Sequence, residues 1–451
     1  MQENSFHHAL KIQKDVCVGC SRCMNVCPTE AIRIRNGKAE LFENKCVDCG
    51  ECFKACPVNA IIIEQDDFKK IFEYKNRVAL LPSVLFGQFS DETKFNDVYK
   101  ALFELGFTDV FEVEHCADLI NTEINNLIDD KNIEKPLLSS FCPAIIRLIQ
   151  VKFPSLVNNI VHLRSPLDMA ALYYKDKLIK EGVDKNAIGM FYVTPCAAKI
   201  ASIKSPVGDD ISVINGVINM DFVYNKVLSS ITNNKTSEKV FAEENLVSKN
   251  LSAKGIMWSL TNGEASNIKG RSFAIDGIHN VIEFLEKVED NEIKDVDFIE
   301  LRSCDESCAG GVLSTANRFL TVDRLKRRAE KLIDNSDNES LFKNSKYLID
   351  NSKILEIKPR SMMKLDESMD VAINKMKRVR EIMSCLPNID CGVCGAPNCR
   401  ALAEDIVQNR AVIDQCIFIQ KNFEKNGIID NEKSYDILKN IWGENNLNHK
   451  C

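Results

Sequence analysis

Long apolar runs are missing from this chain. No stretch of its 451 residues approaches the roughly 20 uninterrupted apolar residues that a membrane-spanning helix needs. Met1 to Ala9 also lacks an apolar signal core, so a cytoplasmic protein with no membrane partner is the expectation. Positive charge is not in excess: 58 Lys and Arg stand against 65 Asp and Glu, a net charge of −7 that argues against nucleic acid as the main partner. Extended disorder is excluded by a composition that is 45% hydrophobic and 27% charged, the balance of a globular protein. The length exceeds one ordinary core and implies two to four folding units.

Cysteine is what the chain has in abundance, with 19 residues. With no export signal to favour disulfides, and enough length to build ordinary cores, metal binding is the default reading. Cys17, Cys20, Cys23 and Cys27-Pro28 are echoed 29 residues later by Cys46, Cys49, Cys52 and Cys56-Pro57. Each half has the spacing C-x2-C-x2-C-x3-C-P, the bacterial ferredoxin run in which the fourth cysteine serves the other cluster. That rule assigns Cys17, Cys20, Cys23 and Cys56 to one 4Fe-4S cluster and Cys46, Cys49, Cys52 and Cys27 to a second. Zinc is the rival; it usually takes two separated C-x2-C pairs, whereas three close cysteines plus a C-P fourth, occurring twice, suit a cubane. Short apolar runs at Ala31 to Ile34 and Ile61 to Ile63 predict small strands closing over the clusters. Residues 1–75 therefore read as a two-cluster ferredoxin domain with electron transfer as its job.

Between about 76 and 360, short apolar strands alternate with longer helical patterns, which predicts α/β layering. Val78 to Leu81, Gly189 to Val193 and Phe298 to Leu301 are the candidate strands, and two of them run straight into cysteines. Thr232 to Ser252, rich in Asn, Lys, Ser and Glu, reads as a surface excursion. Met369, Ala372, Ile373, Met376, Val379 and Ile382 recur at helical spacing, predicting an amphipathic helix over Glu367 to Ile382 with its methionines in the core. Beyond it lie Cys391, Cys394, Cys399 and Cys416, with a helical pattern from Arg400 to Val412. The C-x2-C-x4-C spacing alone fits iron-sulfur or zinc. Its surroundings, Leu386-Pro387-Asn388 and Ala403 to Val407, resemble the small 4Fe-4S domain of corrinoid iron-sulfur proteins and of certain membrane electron-transport subunits, and that resemblance favours iron. Cys385 and Cys451 fit no motif and read as free thiols.

Four middle cysteines stand in suggestive settings: Ser139-Ser140-Phe141-Cys142-Pro143-Ala144, Thr194-Pro195-Cys196-Ala197-Ala198-Lys199, and Glu300 to Gly311 with Cys304 and Cys308. Any one alone reads as a buried structural cysteine. Taken in order, the segments resemble the three signatures of the catalytic domain of iron-only (FeFe) hydrogenases, TSCCPxW, MPCxxKxxE and ExMxCxxxCxxG, over roughly residues 76–330. The resemblance implies an H-cluster: a 4Fe-4S cubane joined by one cysteine to a two-iron unit carrying CO, cyanide and a dithiolate amine. By position Cys142, Cys196 and Cys304 match the cubane ligands, Cys308 the bridge, and Lys199 the lysine that donates to a cyanide. Gly310 and Gly311 would let the backbone approach the cluster. The fold class implied is multidomain, α+β and α/β. It comprises a ferredoxin-like domain with two 4Fe-4S clusters (1–75), a two-lobed α/β hydrogenase domain (76–365) and a small helical 4Fe-4S domain behind its leading helix (366–451).

Departures from the family pattern concern protons. Phe141 stands where prototypical enzymes have the cysteine that passes protons to the two-iron site. The relay serine falls at Val161 and the relay glutamates at Ile124 and Leu127, so each expected carrier is apolar. Glu123 and His162 sit one residue from lost positions, where a rerouted path would have to begin. Arg302 and Thr194 replace the usual methionines, and Ser202 the usual glutamate. Such changes resemble the divergent branches of the family regarded as sensory, here the one pairing an N-terminal ferredoxin with a C-terminal 4Fe-4S domain.

The expected function is therefore slow, reversible H2 oxidation and proton reduction, serving H2 or redox sensing in an anaerobic setting. Its implied partners are H2 and protons, a redox partner such as ferredoxin, hydrogenase maturation proteins and, for a sensor, a signalling partner. The alternative is a non-catalytic electron-transfer protein without the two-iron unit, against which Cys308 argues, since a cubane alone needs no bridging thiolate. His115-Cys116 reads as structural, because sequence neighbours seldom face each other. Lys326-Arg327-Arg328 reads as a solvated helix face.

Overall fold

A computed structural model describes residues 6–208, 212–233, 251–333, 346–360 and 368–447. The chain divides into two compact units, residues 64–359 with 1–9, and residues 10–63 with 360–451. Among the described residues, no helix is long and apolar enough to cross a membrane.

The larger unit contains two all-parallel sheets. The first orders its strands Asp109–Glu112, Asn76–Leu81, Ile188–Thr194 and Gly216–Asn219. The seven residues from Ile188 to Thr194 are all buried, as expected for a strand with a parallel neighbour on each side and helices over both faces. The second sheet orders Ser272–Ile275, Phe298–Leu301 and Leu137–Leu138, again parallel. The larger unit thus has two lobes of α/β layering, as the fold class expected for residues 76–365 has them. Helix starts follow local chemistry: Pro143 opens the helix Pro143–Lys152 and Pro166 opens Pro166–Lys180, each with a ring that pre-sets φ where no N–H is needed. Of the polar stretch Thr232 to Ser252, the first two residues end the helix Met220–Asn233, and residues 234–250 lie outside the described residues.

The basic run needs correction. Lys326 and Arg327 are exposed on the helix Arg318–Ile333, but Arg328 is buried and grips Glu112 with two hydrogen bonds, of 2.7 and 2.8 Å. It shares the inner face with buried Leu325 and Ala329, one turn of helical spacing. The pair His115-Cys116 is buried, with the His115 ring stacked on Phe111 at 5.1 Å. Cys116 has its thiol pushed up by burial, so it is no nucleophile.

The smaller unit joins the tandem cysteine repeat to the C-terminal cysteines. Leu10–Ile12 pairs antiparallel with Ile61–Ile63, and Ile32–Arg35 with Lys38–Leu41. Backbone from the C-terminal segment completes the edge of that hairpin: the Ile34 N–H donates to Gly395 O at 2.9 Å, and those of Asn36 and Gly37 donate to Asn440 O and Ile441 O at 2.8 and 2.9 Å. A Cβ on Gly37 would lie 2.7 Å from the Trp442 carbonyl, at φ +69°, so only glycine fits. Asp405 is buried between two guanidinium groups, with Arg33 Nε at 2.7 Å and Arg35 Nη2 at 3.1 Å, and Lys45 pairs with Glu404 at 3.2 Å.

Two expectations shift here. The linking helix is Met369–Cys385, three residues longer at its C-terminus than its apolar spacing indicated. Val379 packs inward, but Ile373 and Met376 are 47% and 48% exposed, so the apolar stripe covers the core only in its second half and Met376 is not core. The helix predicted over Arg400 to Val412 is Cys399–Val407, followed by a tight turn, Ile413–Gln415. Asp405 O accepts the Arg410 N–H at 2.8 Å there, which closes the helix early.

Candidate iron-sulfur sites

In the smaller unit, Cys17, Cys20, Cys23 and Cys56 line one cavity with Ile12, Ile34 and Ile61. The second set gathers through charge: Cys46, Cys49 and Cys52 each feel the thiolate of Cys27. Each fourth cysteine therefore sits with the other half's triplet. Backbone N–H groups point at the sulfurs in matching ways, Ala31 N to Cys27 Sγ and Ala60 N to Cys56 Sγ, both at 3.2 Å. Such donors stabilise thiolate and raise cluster potential. At the C-terminus, Cys394, Cys399 and Cys416 are buried and Cys391 exposed; Cys394 feels the charges of Cys391 and Cys416. Arg35 donates to the carbonyls of Cys394 and Gly395 at 3.3 and 3.0 Å. Cys385 is exposed, and Cys451 lies outside the described residues.

The middle cysteines leave the ends of parallel strands, the place where open α/β sheets bind ligands. Cys142 follows Leu137–Leu138 and caps Pro143–Lys152; Cys196 follows Ile188–Thr194 and caps Ala197–Lys204. Cys304 lies just past Phe298–Leu301, and its carbonyl accepts the Ser307 N–H at 3.0 Å in the turn that carries Cys308. The two lobes meet where Leu313 N donates to Pro195 O at 3.0 Å, and a Cβ on Gly311 would sit 2.6 Å from that same oxygen. Gly311 thus lets the Cys308 turn close on the Cys196 loop.

Electrostatics tie three of the four together. Burial pushes the Cys308 thiol up to about 12 and the Cys196 thiol up to about 11; each also feels the charge of Cys142, and Cys308 that of Cys196. A metal would take such buried thiols as thiolates and relieve what burial costs Cys196 and Cys308, so the group is a candidate donor set. Among the described residues, buried polar atoms close by lack partners: Trp258 Nε1, Ser259 Oγ and Ser303 Oγ. Ser259 O accepts the Cys308 N–H at 3.1 Å, and Ser303 precedes Cys304. Such orphans are costly in a finished core and fit a site built to hold a polar group.

Phe141 is clamped by charge. Its ring lies 4.4 Å from Lys199 Nζ and 4.2 Å from the Arg302 guanidinium carbon, and edge-on to Trp258 at 6.2 Å. Lys199 is buried and donates to Phe141 O at 3.0 Å, so it is no solvated surface lysine; one of its three N–H groups is spent there. Beside these residues a cavity of about 80 Å³ is lined by Ser140, Arg164, Asp168, Ser202 and Pro206, room enough for water. Thr194 closes the Cys196 loop, accepting its N–H at 3.2 Å and donating to its carbonyl at 2.9 Å.

Of the other proton-path positions, Val161 and Ile124 are buried and Leu127 half-buried. Glu123 accepts from Asn126 on the exposed side of its helix. Among the described residues His162 Nε2 is buried without a partner, and burial lowers its imidazolium's acid range. No hydrogen bond among the described residues joins Glu123 to His162.

Sequence reasoning missed the acids behind Phe141. Glu264 accepts from Ser139 Oγ at 2.6 Å and pairs with Arg302 at 3.0 Å; Glu300 pairs with Arg302 at 3.4 Å. Glu300 stood in the Cys304 segment beside Arg302, but Glu264 lies in no motif and is brought in only by the fold.

The donor sets, the two parallel sheets and the hairpin unit define an iron-sulfur protein with a two-lobed α/β domain. Three family models match it: "Iron only hydrogenase large subunit, C-terminal domain" over residues 78–224, a 4Fe-4S dicluster domain over 11–66 and an Fe-S cluster family over 386–418. Over residues 78–224 the chain is thus similar to the large subunit of iron-only (FeFe) hydrogenases. It is 30% identical over 222 residues to iron hydrogenase 1 of Clostridium pasteurianum, covering 42% of this chain and 38% of that one. It is 26% identical over 203 residues to the NADP-reducing hydrogenase subunit HndD of Solidesulfovibrio fructosivorans, covering 42% and 31%. The matched region thus spans less than two fifths of either relative. Among solved structures, an FeFe hydrogenase HydA examined for stepwise H-cluster assembly aligns at TM-score 0.46 and 15% identity, over 63% of this chain and 94% of that one. A variant of FeFe hydrogenase HydA1 from Chlamydomonas reinhardtii aligns at 0.45 and 15%, with the same coverage.

Proposed function

We propose that the protein interconverts H2 with two protons and two electrons, slowly, at a centre held by Cys142, Cys196, Cys304 and Cys308, in H2 or redox sensing. A single observation carries the reading: thiols from both lobes are gathered beside a buried lysine that still has N–H groups to give an anionic ligand. When bound, the two-iron unit would supply the metal that cleaves or forms H2. Cys142, Cys196 and Cys304 would grip the cubane and Cys308 would bridge. Lys199 would orient and neutralise a cyanide, while Phe141 excludes water and carries no proton. Electrons would leave through the two ferredoxin-type clusters and the C-terminal cluster, whose potential Arg35 would raise, toward a partner such as ferredoxin. Hydrogenase maturation proteins would supply the two-iron unit, and a signalling partner would read the state of the centre.

The slow rate follows from the proton side. A positioned acid or base contributes about 10²–10⁴-fold, and the relay positions at Phe141, Val161 and Ile124 hold none. The test is to reconstitute the chain with iron, sulfide and the synthetic two-iron cofactor and assay H2 uptake and evolution. Low but measurable turnover is expected. A chain that binds four iron-sulfur centres yet shows neither turnover nor retention of the cofactor would be an electron-transfer protein instead.

A further inference from the structure

Arg302 is buried 163 residues away in sequence from the hydroxyl that it touches, and two acids share its charge. The acids are not equivalent. Glu300 accepts three backbone N–H groups, from Asn262, Glu264 and Ala265 at 3.1, 3.0 and 2.8 Å. Among the described residues Glu264 has the Ser139 hydroxyl at 2.6 Å and Arg302 at 3.0 Å. Two ionised carboxylates against one guanidinium leave a net negative charge in a water-poor interior, so an electron added nearby would be costly unless a proton came with it. Glu264, with fewer donors than Glu300, is where that proton would bind.

Arg302 links this pair to the metal site. Cys308 and Cys142 both feel its charge, and its guanidinium lies on the Phe141 ring beside Lys199. We propose that Glu264 is the proton acceptor of the middle centre, taking one proton from solvent for each electron that enters the centre, with Arg302 as the positioning residue that couples the two. The inference rests on the reading that Cys142, Cys196 and Cys304 hold a cluster. The electron comes from an external reductant; an O–H bond forms on a Glu264 carboxylate oxygen, the bond from that proton to water breaks, and only the cluster is reduced. Protonating Glu264 frees the charge of Arg302 to offset the added electron, so the buried charge stays constant. Burial pushes the Glu264 carboxyl up from its ordinary range; Arg302 opposes the shift, Glu300 adds to it, and the Ser139 hydrogen bond opposes it. Among the described residues, those three are the charged and polar side chains that act on Glu264.

The test uses the full chain reconstituted with iron and sulfide. Its middle centre is identified as the paramagnetic resonance signal lost in Cys142→Ser, and its potential is titrated across neutral pH. If Cys142→Ser removes no signal, the cluster reading fails. If the signal is present, the potential should fall by about 59 mV per pH unit, the one-electron value of a tenfold change. Glu264→Gln should abolish the slope and Glu264→Asp should keep it. Ser139→Ala, losing a donor to the carboxylate, should move the sloping range to higher pH. A pH-independent wild-type potential, or a slope unchanged in Glu264→Gln, would overturn the proposal. Should Glu264→Gln not assemble, the wild-type infrared difference spectrum between oxidised and reduced forms decides: a deuterium-sensitive carboxylic acid carbonyl band is expected on reduction, and its absence overturns the proposal.

Discussion

Replacing Phe141 with Cys returns a proton carrier to the position nearest the proposed two-iron site. The cost can be worked from the contacts. The ring takes part in cation-π contacts with Lys199 and Arg302, each worth about 0.5–2 kcal/mol, and in an edge contact with Trp258 worth about 0.5–1.5 kcal/mol. The loss is thus about 1.5–5.5 kcal/mol, at or below the low end of the 5–15 kcal/mol stability of an ordinary domain, so the variant should fold. The gain is bounded by what lies beyond. Val161 and Ile124 remain apolar and buried, so only the first hop is restored, and the increase should fall toward the low end of the 10²–10⁴-fold range of a positioned acid. Proton exit is read directly by the exchange of H2 with D2O to HD. A cofactor-loaded Phe141→Cys variant with no rise in exchange would refute the idea that the broken relay limits the rate.

Other outcomes follow from the same geometry. Asp405→Ala should destabilise the smaller unit by about 3–5 kcal/mol in denaturant melts, because it strands Arg33 and Arg35 in the interior; Asp405→Asn should cost less. Cys27→Ser should deplete the cluster of Cys46, Cys49 and Cys52, and Cys56→Ser that of Cys17, Cys20 and Cys23, as told apart by resonance spectra; loss of the local cluster in each case would contradict the exchange of fourth ligands. Glu114 is buried, and its carboxyl is pushed up to about 8. Its folded range is above its unfolded one, so its contribution to stability is full below about pH 4.5 and is lost as pH rises through about 8. Glu114→Gln should then match the wild type near pH 5 and exceed it by a few kcal/mol above pH 8 in denaturant titrations. Equal pH profiles would show that the carboxyl is not held neutral.

Much of the metal chemistry could be read along the chain, because iron-sulfur ligands are fixed by residue type and, in the ferredoxin run, by local spacing. The spacing alone expects Cys56 beside Cys17, Cys20 and Cys23, and Cys27 beside the second triplet, and the fold groups the side chains that way. The strand Phe298–Leu301 was legible to the residue, and Ile188–Thr194 to within one residue at each end, because buried parallel strands are continuous apolar runs. Polar side chains acting at a distance were not legible. Glu264 meets Ser139 across 125 residues, and no period marks such a pair. Arg328 was misread because a charged run on a helix looks solvated, although Leu325 and Ala329 shared its inward spacing. Ile373 and Met376 show the converse: helical spacing identifies a stripe without saying how much of it is covered.

The central claim is that Cys142, Cys196, Cys304 and Cys308 hold an H-cluster. The most direct measurement is the infrared spectrum of the chain after reconstitution and loading with the synthetic two-iron cofactor, beside a Cys308→Ser variant. The account predicts bound CO and cyanide bands in the wild type and their loss or displacement on removal of the bridging thiolate. A wild-type chain replete in iron that shows no such bands, or a variant whose bands are unchanged, would contradict it.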